Sequence, residues 1–407
     1  MSKVKNILII TTWSYRDALI QTYTLPYLKM IRKIVPSEQK IYFNTLEQDH
    51  LHIPADERSA IKKSYSQENI IWLPSKFKKI GPLAVLLRML ELIKLLWICY
   101  TKNISHIHVW CTPAGVTAYL LSLLTGKPLI IDSYEPHAEP SVENGTWRED
   151  SWAFKFLFWM EKKMTQRAVA LIGTSTFIRK YALEKYNIDL PNIYVKPALI
   201  DLDKFNLQIK KDSPLQSELG LENKIVGVYA GKIGGIYLAY ETFDILKACY
   251  NHWGDNFRFV FLSNASKSEI DTLAHQAGIP EGIIFSKFIP HQDVPKYLGL
   301  GDFGLNPVKP VKSKICCTSI KDGEYWALGL PVLITKSLGD DVQIIEENNI
   351  GVVIPSLTAE SYSKSVKELD KLISSNSNGE LTARIRNVAI KHRSYKIAEE
   401  IYRKIYL

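Results

Sequence analysis

Cysteine is scarce in this chain of 407 residues, and the five that are present do not follow a metal-binding spacing. They are Cys99, Cys111, Cys249, Cys316 and Cys317. Their odd number excludes a complete framework of internal disulfides. Unpaired cysteines of this kind are typical of a reducing compartment. We therefore expect a cytoplasmic protein.

A long uninterrupted hydrophobic run is also missing. The most apolar stretch, residues 83–100, contains Arg88, Glu91 and Lys94, so we do not expect it to span a bilayer. The apolar run at 6–10 is too short for a signal peptide and predicts a buried strand instead. Because internal repeats and low-complexity tracts are absent, we expect neither a repeat protein nor a disordered one.

Length, composition and charge describe a globular protein with anionic ligands. A single core rarely grows beyond about 250–300 residues, so 407 residues suggest two domains. Hydrophobic residues make up 46% of the chain and charged residues 23%. The formal net charge of +9 suits a sugar nucleotide, a lipid phosphate or an anionic membrane surface. No nucleic-acid motif accompanies the charge, so we expect no nucleic-acid partner.

Short apolar runs alternate with helical patterns along nearly the whole chain, which predicts parallel α/β sheets. The predicted strands include 6–10, 40–43, 104–110, 128–132, 168–173, 225–230, 258–262, 282–285, 303–306, 331–334 and 351–354. A polar stretch with prolines interrupts the alternation at 197–217, where we place a hinge. Residues 380–407 predict one or two basic helices.

The most informative stretch is 318–334, which predicts a helix start, a short helix with one inward acid, a glycine stop and a buried strand. Thr318 or Ser319 is a candidate cap, and Asp322 stands three residues after Ser319 as a capping-box partner. Gly329 then ends the helix.

Such a helix start suits a nucleotide diphosphate. Unpaired backbone N–H groups at a helix start attract phosphate. Glu324, one turn further on, has two acceptor oxygens for a ribose diol. The alternative is a surface glutamate that pairs with Lys321.

The same stretch resembles the Lys-x-x-Glu-Tyr-x-Ala-x-Gly-x-Pro-Val signature of retaining, family-4-like ("group 1") glycosyltransferases. Three further segments agree with that family in order and spacing. Residues 197–205 resemble its hinge, 229–232 the first strand and loop of its nucleotide domain, and 161–175 its Glu-Lys … Ala … Ser segment. The resemblance covers most of the chain.

The resemblance implies a GT-B fold, in which two Rossmann-like domains face each other across a cleft. It implies an acceptor-binding domain at 1–200, a nucleotide-sugar-binding domain at 201–385 and a C-terminal helix at 386–407 that packs back on the first domain. The implied reaction moves a sugar from a nucleotide-diphosphate sugar to a saccharide or lipid-linked acceptor, with retention and without cofactor or metal. The implied setting is polysaccharide or glycolipid assembly, in the cytoplasm or at the inner face of the membrane.

Residues of the nucleotide site follow from the same resemblance. Glu324 is expected to bind the ribose hydroxyls, and Cys316 stands where the family has its first glutamate, which usually serves the transferred sugar. The predicted nucleotide-sugar-binding residues are Gly231, Cys316, Cys317, Thr318, Ser319, Lys321 and Glu324.

Lysines are expected to neutralise the leaving diphosphate. Lys232, at the end of a predicted strand, is the predicted catalytic cation. The family often has a second lysine five residues later, but Tyr237 stands there. Lys321, Lys312 and Lys314 are the alternatives for that second charge, and each is otherwise a solvated lysine.

On the acceptor side, His137 is the predicted catalytic residue. It follows the strand at 128–132, and ligands bind at the carboxyl ends of parallel strands. The segment resembles the family's loop that brings a histidine near the reacting sugar. Glu135 and Glu139 are alternatives for acceptor binding, and Arg16 is expected to meet a phosphate. Each is otherwise an ordinary loop residue.

Two other patterns predict no site. Residues 299–304 match Gly-x-Gly-x-x-Gly, but a predicted helix precedes them and a strand follows, the reverse of a dinucleotide loop. Asp201-Leu202-Asp203 resembles a metal-binding motif but lies in the hinge, and we interpret it as a turn.

Three functional questions stay open from the sequence. A sugar-nucleotide epimerase of the same fold and a non-catalytic pseudo-transferase subunit are the rivals of a transferase. Residues 83–100, with a basic flank at 76–79, predict either a core helix or an interfacial helix on an anionic membrane. An aromatic patch at 152–160 has the same two interpretations.

Overall fold

The computed structural model describes residues 5–17, 19–78, 81–190, 192–336, 339–376 and 378–407. Lys79, in the predicted basic flank, lies outside these ranges. The chain divides into two compact units, one formed by Met1–Lys196 with Lys396–Leu407 and the other by Pro197–Tyr395. The boundaries predicted from the sequence lie at 200/201 and 385/386.

The first unit is built on a sheet of seven parallel strands in the order β3-β2-β1-β4-β5-β6-β7. Its strands are β1 Asn6–Ile10, β2 Ile41–Glu47, β3 Ile70–Lys76, β4 Ile104–Trp110, β5 Leu129–Tyr134, β6 Ala168–Gly173 and β7 Ile193–Val195. Its first seven α-helices are α1 Leu25–Ile34, α2 Ala55–Gln67, α3 Pro82–Thr101, α4 Thr112–Thr125, α5 Ala138–Glu143, α6 Trp152–Arg167 and α7 Ile178–Tyr186.

The second unit is built on a sheet of six parallel strands in the order β10-β9-β8-β11-β12-β13. Its strands are β8 Ile225–Ala230, β9 Phe257–Leu262, β10 Ile284–Lys287, β11 Phe303–Asn306, β12 Val332–Thr335 and β13 Gly351–Ile354. Its α-helices are α8 Ser213–Glu218, α9 Tyr240–Trp253, α10 Lys267–Gln276, α11 Val294–Leu298, α12 Ile320–Ala327, α13 Gly339–Asn348, α14 Ala359–Ser374 and α15 Glu380–Arg393. The chain then ends in α16 Lys396–Tyr406, which belongs to the first unit.

Both sheets reverse their strand order once. The reversal lies between β1 and β4 in the first unit and between β8 and β11 in the second. In open parallel sheets, ligands bind outside the carboxyl ends of the strands at this point. Each unit therefore has one position where its topology favours a ligand.

Two close approaches fix α12 in the second unit. A Cβ on Gly304 would lie 2.3 Å from the Tyr325 ring, so only glycine lets α12 pack this closely on β11. A Cβ on Gly323 would lie 2.6 Å from Ile200 on the other side of the helix. As a result, every residue of α12 after Ile320 is buried.

A charged network in the first unit holds the C-terminal helix. The Asp132 carboxylate lies 2.6 Å from the Lys196 ammonium and accepts a hydrogen bond of 2.6 Å from the Tyr402 hydroxyl on α16. Lys196 also donates to the Tyr402 oxygen, and all three side chains are fully buried. Burial raises the pKa of Asp132, but Lys196 and His108 together outweigh it and hold that pKa below the usual range.

Several sequence predictions can be compared with these elements. The helix α11 ends just before residues 299–304 and β11 begins within them, at Phe303, which confirms that this glycine pattern is not a dinucleotide loop. The basic C-terminal region forms two helices, α15 and α16. The predicted strands omitted β3, which contains a proline, and β7, which has only three residues.

Candidate active site

The predicted nucleotide-binding residues gather at the carboxyl ends of β8 and β11, where the strand order of the second unit reverses. A Cβ on Gly231, directly after β8, would lie 2.6 Å from the Lys321 side chain of α12. The Lys321 ammonium donates a hydrogen bond of 2.6 Å to the Tyr237 hydroxyl. It also lies 3.9 Å from the centre of that ring. The loop after β8 and the start of α12 therefore meet around one buried cation.

This contact gives Tyr237 a role that the sequence did not predict. The residue stands where the resembling family has a second lysine, and it orients Lys321 instead of supplying a charge. Tyr229 steadies the same loop, because its hydroxyl donates to the Lys232 carbonyl oxygen over 2.7 Å. Lys232 itself has an exposed side chain.

Glu324 lies inside the second unit and not on its surface. Its side chain is 6% exposed, and no hydrogen-bond or ion-pair partner for it occurs among the residues described. Burial raises the pKa of Glu324 to about 7, although the charges of Lys321 and Lys204 oppose this shift. The predicted inward position of Glu324 is thus confirmed, but Glu324 is not the one inward acid of α12, because Asp322 is buried too. The alternative, a surface glutamate paired with Lys321, is wrong because Lys321 binds Tyr237.

The predicted cap of α12 is right in its position, Ser319, and wrong in its hydrogen bonds. Ser319 is the N-cap residue, but its side chain makes no capping hydrogen bond. Its backbone N–H is instead bound over 2.8 Å by the carboxylate of Asp341, on α13. Asp322 does not complete a capping box, because it accepts a hydrogen bond of 2.8 Å from Asn306 at the end of β11. Thr318 is occupied too, since its hydroxyl oxygen accepts from the Ala198 N–H.

Asp322 and Asp341 form a buried acidic pair with one cation. Burial and mutual repulsion raise the pKa of Asp322 well above its ordinary value. Burial also raises the pKa of Asp341, against the charge of Arg393, which forms an ion pair with it. Arg393 comes from α15, so three helices are joined beneath the start of α12. This arrangement fixes α12 from inside the unit.

The remaining predicted residues of the loop before α12 are mostly buried. Cys316 has no exposed surface, and Cys317 is buried as well. The Lys314 ammonium lies 3.8 Å from the Cys317 sulfur, while Lys312 is exposed to solvent. Of the three lysines that were alternatives for the second charge, Lys321 is the buried one.

In the first unit, His137 is held at the start of α5. Its backbone N–H donates to the Glu161 carboxylate over 2.7 Å, and the Ala138 N–H donates to the same oxygen over 3.1 Å. The His137 Nδ1 lies 2.6 Å from the Glu135 carbonyl oxygen. A carbonyl can only accept, so Nδ1 carries a proton and Nε2 is the acceptor nitrogen of the neutral ring.

The other residues predicted for the acceptor already have protein partners. The Glu135 carboxylate accepts from the Thr174 hydroxyl over 3.2 Å. Glu139 forms an ion pair of 2.6 Å with Lys185. Arg16 donates to the His52 carbonyl over 2.9 Å and pairs with Glu57. Their acceptor roles stay predictions.

Reasoning from the sequence did not find the residues that orient this site from a distance. Tyr237 contacts Lys321 and Asp341 contacts Ser319. Asn306 and Arg393 act one step further away, through Asp322 and Asp341. The signal for Asn306 was a polar residue at the end of a buried strand. Asp341 and Arg393 carried no local signal, because their contacts are made only in the folded unit.

No protein-family model matches this sequence, and no curated protein matches it either. Solved structures do match in fold. A sucrose-phosphate synthase from Thermosynechococcus elongatus superposes with a TM-score of 0.71 at 13% identity, over 99% of both chains. Anabaena HepE in complex with UDP-glucose gives 0.70 at 13% identity, over 98% of this chain and 99% of its own.

A glycosyltransferase from Rickettsia africae ESF-5 gives a TM-score of 0.67 at 14% identity, over 99% of this chain and 98% of its own. At such low identity these similarities establish the fold and nothing finer. Together with the two parallel sheets, they confirm the prediction that this chain has the GT-B fold, with two Rossmann-like domains.

Proposed function

We propose that this chain is a glycosyltransferase that moves a sugar from a nucleotide-diphosphate sugar to a saccharide or lipid-linked acceptor. The observation that carries the proposal is Glu324, a buried carboxylate that has no partner among the described residues. Burying a carboxylate without hydrogen bonds is costly, and a pair of ribose hydroxyls would satisfy it. UDP-glucose, bound by the Anabaena protein of this fold, is a ligand of that chemistry.

The residues around Glu324 suit the rest of such a donor. Lys321 places a positive charge beside the loop after β8, and Lys232 extends from that loop into solvent. When the bond between the sugar and the diphosphate breaks, the electron pair goes to the leaving phosphate oxygen. Cations held at that position stabilise the growing negative charge. We assign this role to Lys232, with Lys321 as the second charge.

The acceptor side is proposed to belong to the first unit. There the acceptor hydroxyl forms the new bond to the anomeric carbon, and its proton passes to the oxygen of the departing diphosphate. His137 is our candidate for contacting the reacting groups, because its Nδ1 proton is fixed by the Glu135 carbonyl and Nε2 is left to accept. Retention at the anomeric carbon is proposed from the sequence resemblance alone.

The direct test is a calorimetric titration with UDP, GDP and ADP on the intact protein. We expect one of them to bind, and Glu324→Gln to weaken that binding about ten- to a hundredfold, since a hydrogen bond to a charged group contributes roughly 1.5–3 kcal/mol. Glu346→Gln, at an exposed position on α13, is the matched control and should change affinity less than about twofold. Equal affinities of the two variants would remove Glu324 from the site.

Turnover separates the transferase from its two rivals. With a nucleotide sugar present, a transferase releases nucleoside diphosphate in proportion to added acceptor. An epimerase interconverts the donor without acceptor, and a non-catalytic subunit does neither. Acceptor-independent epimerisation would therefore contradict the proposal.

We also propose that transfer needs no divalent ion, because lysines can carry the phosphate charge. Transfer should persist in excess EDTA, and added Mg²⁺ or Mn²⁺ should change it little. Activity that disappears in EDTA and returns with either ion would contradict this proposal.

The protein is further proposed to bind the surface of an anionic membrane. No helix within the described ranges is both long and apolar enough to cross a bilayer. However, α3 leaves eight large apolar side chains between 51% and 67% exposed. They are Leu83, Val85, Leu86, Met89, Leu90, Ile93, Trp97 and Tyr100. The other face of α3 is buried, as the core interpretation predicts, and the exposed apolar face supports the proposed contact with a membrane.

The neighbouring helix α4 extends this exposed apolar face. The Tyr100 hydroxyl donates to the Leu124 carbonyl of α4 over 2.8 Å, and Leu124 is itself exposed. Trp152 and Trp159 are exposed on α6, and tryptophan is favoured at membrane interfaces. Co-sedimentation with vesicles is the test. Binding should require anionic lipid and weaken with salt, since each basic residue near the surface contributes about 1 kcal/mol. No binding at low salt would contradict the proposal.

A further inference from the structure

The first unit contains a cavity of about 350 Å³ at its own ligand position, where the sheet order reverses between β1 and β4. Thr11 and Thr12, which follow β1, line one end of it. The start of α4, at Pro113, lines the same region. Its volume lies within the range of small-molecule sites, about 300–1,000 Å³. No residue that we assign to the nucleotide lines this cavity.

The walls of the cavity are mainly apolar. Met89 and Leu92 of α3 face Val116 and Leu120 of α4 across it. This contrasts with the ligand position of the second unit, where lysine, tyrosine and carboxylate side chains gather. A saccharide needs hydrogen-bonding groups along its length, so an apolar wall favours a hydrocarbon.

The cavity is continuous with the exposed apolar face of the unit. Val85, Met89 and Leu120 line the cavity and are 62%, 56% and 40% exposed. A chain that lies in a membrane at this face can therefore reach the cavity without passing through water.

One charged pair lies in the cavity wall. Arg88 is partly exposed and donates to the buried carboxylate of Glu91 over 3.1 Å. A guanidinium has five N–H groups, and this hydrogen bond uses only one. The others can bind a phosphate, for which arginine is well suited.

We propose that this cavity holds the first carbons of the hydrocarbon chain of a lipid-phosphate-linked acceptor, with Arg88 contacting its phosphate. The inference rests on the proposed function, because only a transferase has an acceptor, and it selects the lipid-linked class. The exposed apolar surface on α3 and α4 then contacts the membrane, from which the acceptor enters the cavity.

The test is a calorimetric titration of the intact protein with butyl, hexyl and octyl phosphate as monomers below their micelle concentrations. Each buried methylene should raise the affinity about fourfold until the cavity is filled. Octanol should bind more weakly than octyl phosphate, since it lacks the charge that meets Arg88. Equal affinity for butyl and octyl phosphate would overturn the inference.

Two matched tryptophan variants separate the cavity from the surface. Val116→Trp fills the cavity and should abolish the gain with chain length. Leu123→Trp adds the same ring to α4 at an exposed position that does not line the cavity, and should retain the gain. An equal loss in both variants, or in neither, would place the alkyl chain elsewhere and overturn the inference.

Measuring nucleotide binding with the same preparations distinguishes a failure of the lipid inference from a failure of the proposed function. If UDP, GDP or ADP binds in the second unit but octyl phosphate does not bind, the lipid inference fails and the transferase proposal stands. If octyl phosphate binds with the expected dependence on chain length while no nucleotide binds, the cavity is supported and the transferase proposal fails.

Discussion

Each unit buries one glutamate whose pKa is raised to about 7 by its removal from water, Glu161 in the first and Glu324 in the second. The two differ in their partners. Glu161 accepts hydrogen bonds from the backbones of His137 and Ala138 and from the Tyr186 hydroxyl. Glu324 accepts none from the described residues. A raised pKa therefore shows only that a carboxyl is buried. The number of its hydrogen-bond partners distinguishes a structural glutamate from one that suits a ligand.

The largest expected effect is a loss of stability when Glu161, the acceptor of these hydrogen bonds, is removed. Glu161→Ala leaves two buried N–H groups and a hydroxyl without an acceptor, at about 1–3 kcal/mol each. We expect the free energy of unfolding of the first unit to fall by at least about 3 kcal/mol, measured by urea titration. Glu324→Ala removes no hydrogen bond and should not lower it. Equal losses would break the comparison.

The next effect concerns the pH dependence of stability. A raised carboxyl pKa means that the folded protein holds its proton at a pH where the unfolded chain has lost it. The contribution of the Glu324 carboxyl to the free energy of unfolding is therefore complete below its pKa in the unfolded chain, near 4.5. It is lost as the pH rises to the folded pKa of about 7. Each pKa unit corresponds to about 1.4 kcal/mol, so Glu324→Gln should be more stable than the parent at pH 8 by up to about 3 kcal/mol.

Urea titrations of the parent and Glu324→Gln at pH 5 and pH 8 check this expectation. The difference in unfolding free energy between the two proteins should be larger at pH 8. A difference that is the same at both values would mean that the Glu324 carboxyl does not titrate in this range.

A smaller effect is expected on nucleotide affinity. The ionised form of Glu324 accepts from ribose, so protonation competes with binding. With a pKa of about 7, affinity should fall roughly tenfold between pH 8 and pH 6, about 1.4 kcal/mol. The nucleotide also titrates in this range, so the informative quantity is the difference between the parent and Glu324→Gln. Parallel pH profiles from calorimetry would contradict the assignment.

The smallest effect is expected from Tyr237→Phe. This change keeps the ring beside Lys321 and removes the hydroxyl that accepts from its ammonium. The lost hydrogen bond orients Lys321 and does not itself contact the nucleotide, so nucleotide affinity should fall only about two- to tenfold, less than about 1.4 kcal/mol. The matched control is Tyr240→Phe, at an exposed position in the same unit. An unchanged affinity for Tyr237→Phe would show that Lys321 needs no orientation.

The sequence predicted parallel α/β sheets and the inward position of Glu324 from local patterns, whereas the GT-B fold was implied by the family resemblance. Alternating apolar runs specify parallel strands, and the spacing from Ser319 to Gly329 specifies a short helix with the acid inside. The capping of that helix was not predictable in the same way. Asp341 replaces the expected cap from the next helix, and Arg393 pairs with it from further along the chain. Contacts between distant residues leave no periodic trace in a sequence.

The first unit is formed by two separate segments of the chain, and this affects how it folds during synthesis. Tyr402 bonds to Asp132 across 270 residues, and Tyr406 contacts His108 across 298. Domains generally fold as units during translation, the N-terminal one first, while synthesis proceeds at about 5–20 residues per second. The Asp132–Lys196 pair therefore lacks its Tyr402 contact until the whole second unit has been synthesised. Until the ribosome reaches α16, the nascent first unit lacks both the Tyr402 hydrogen bond to Asp132 and the helix that packs on α1.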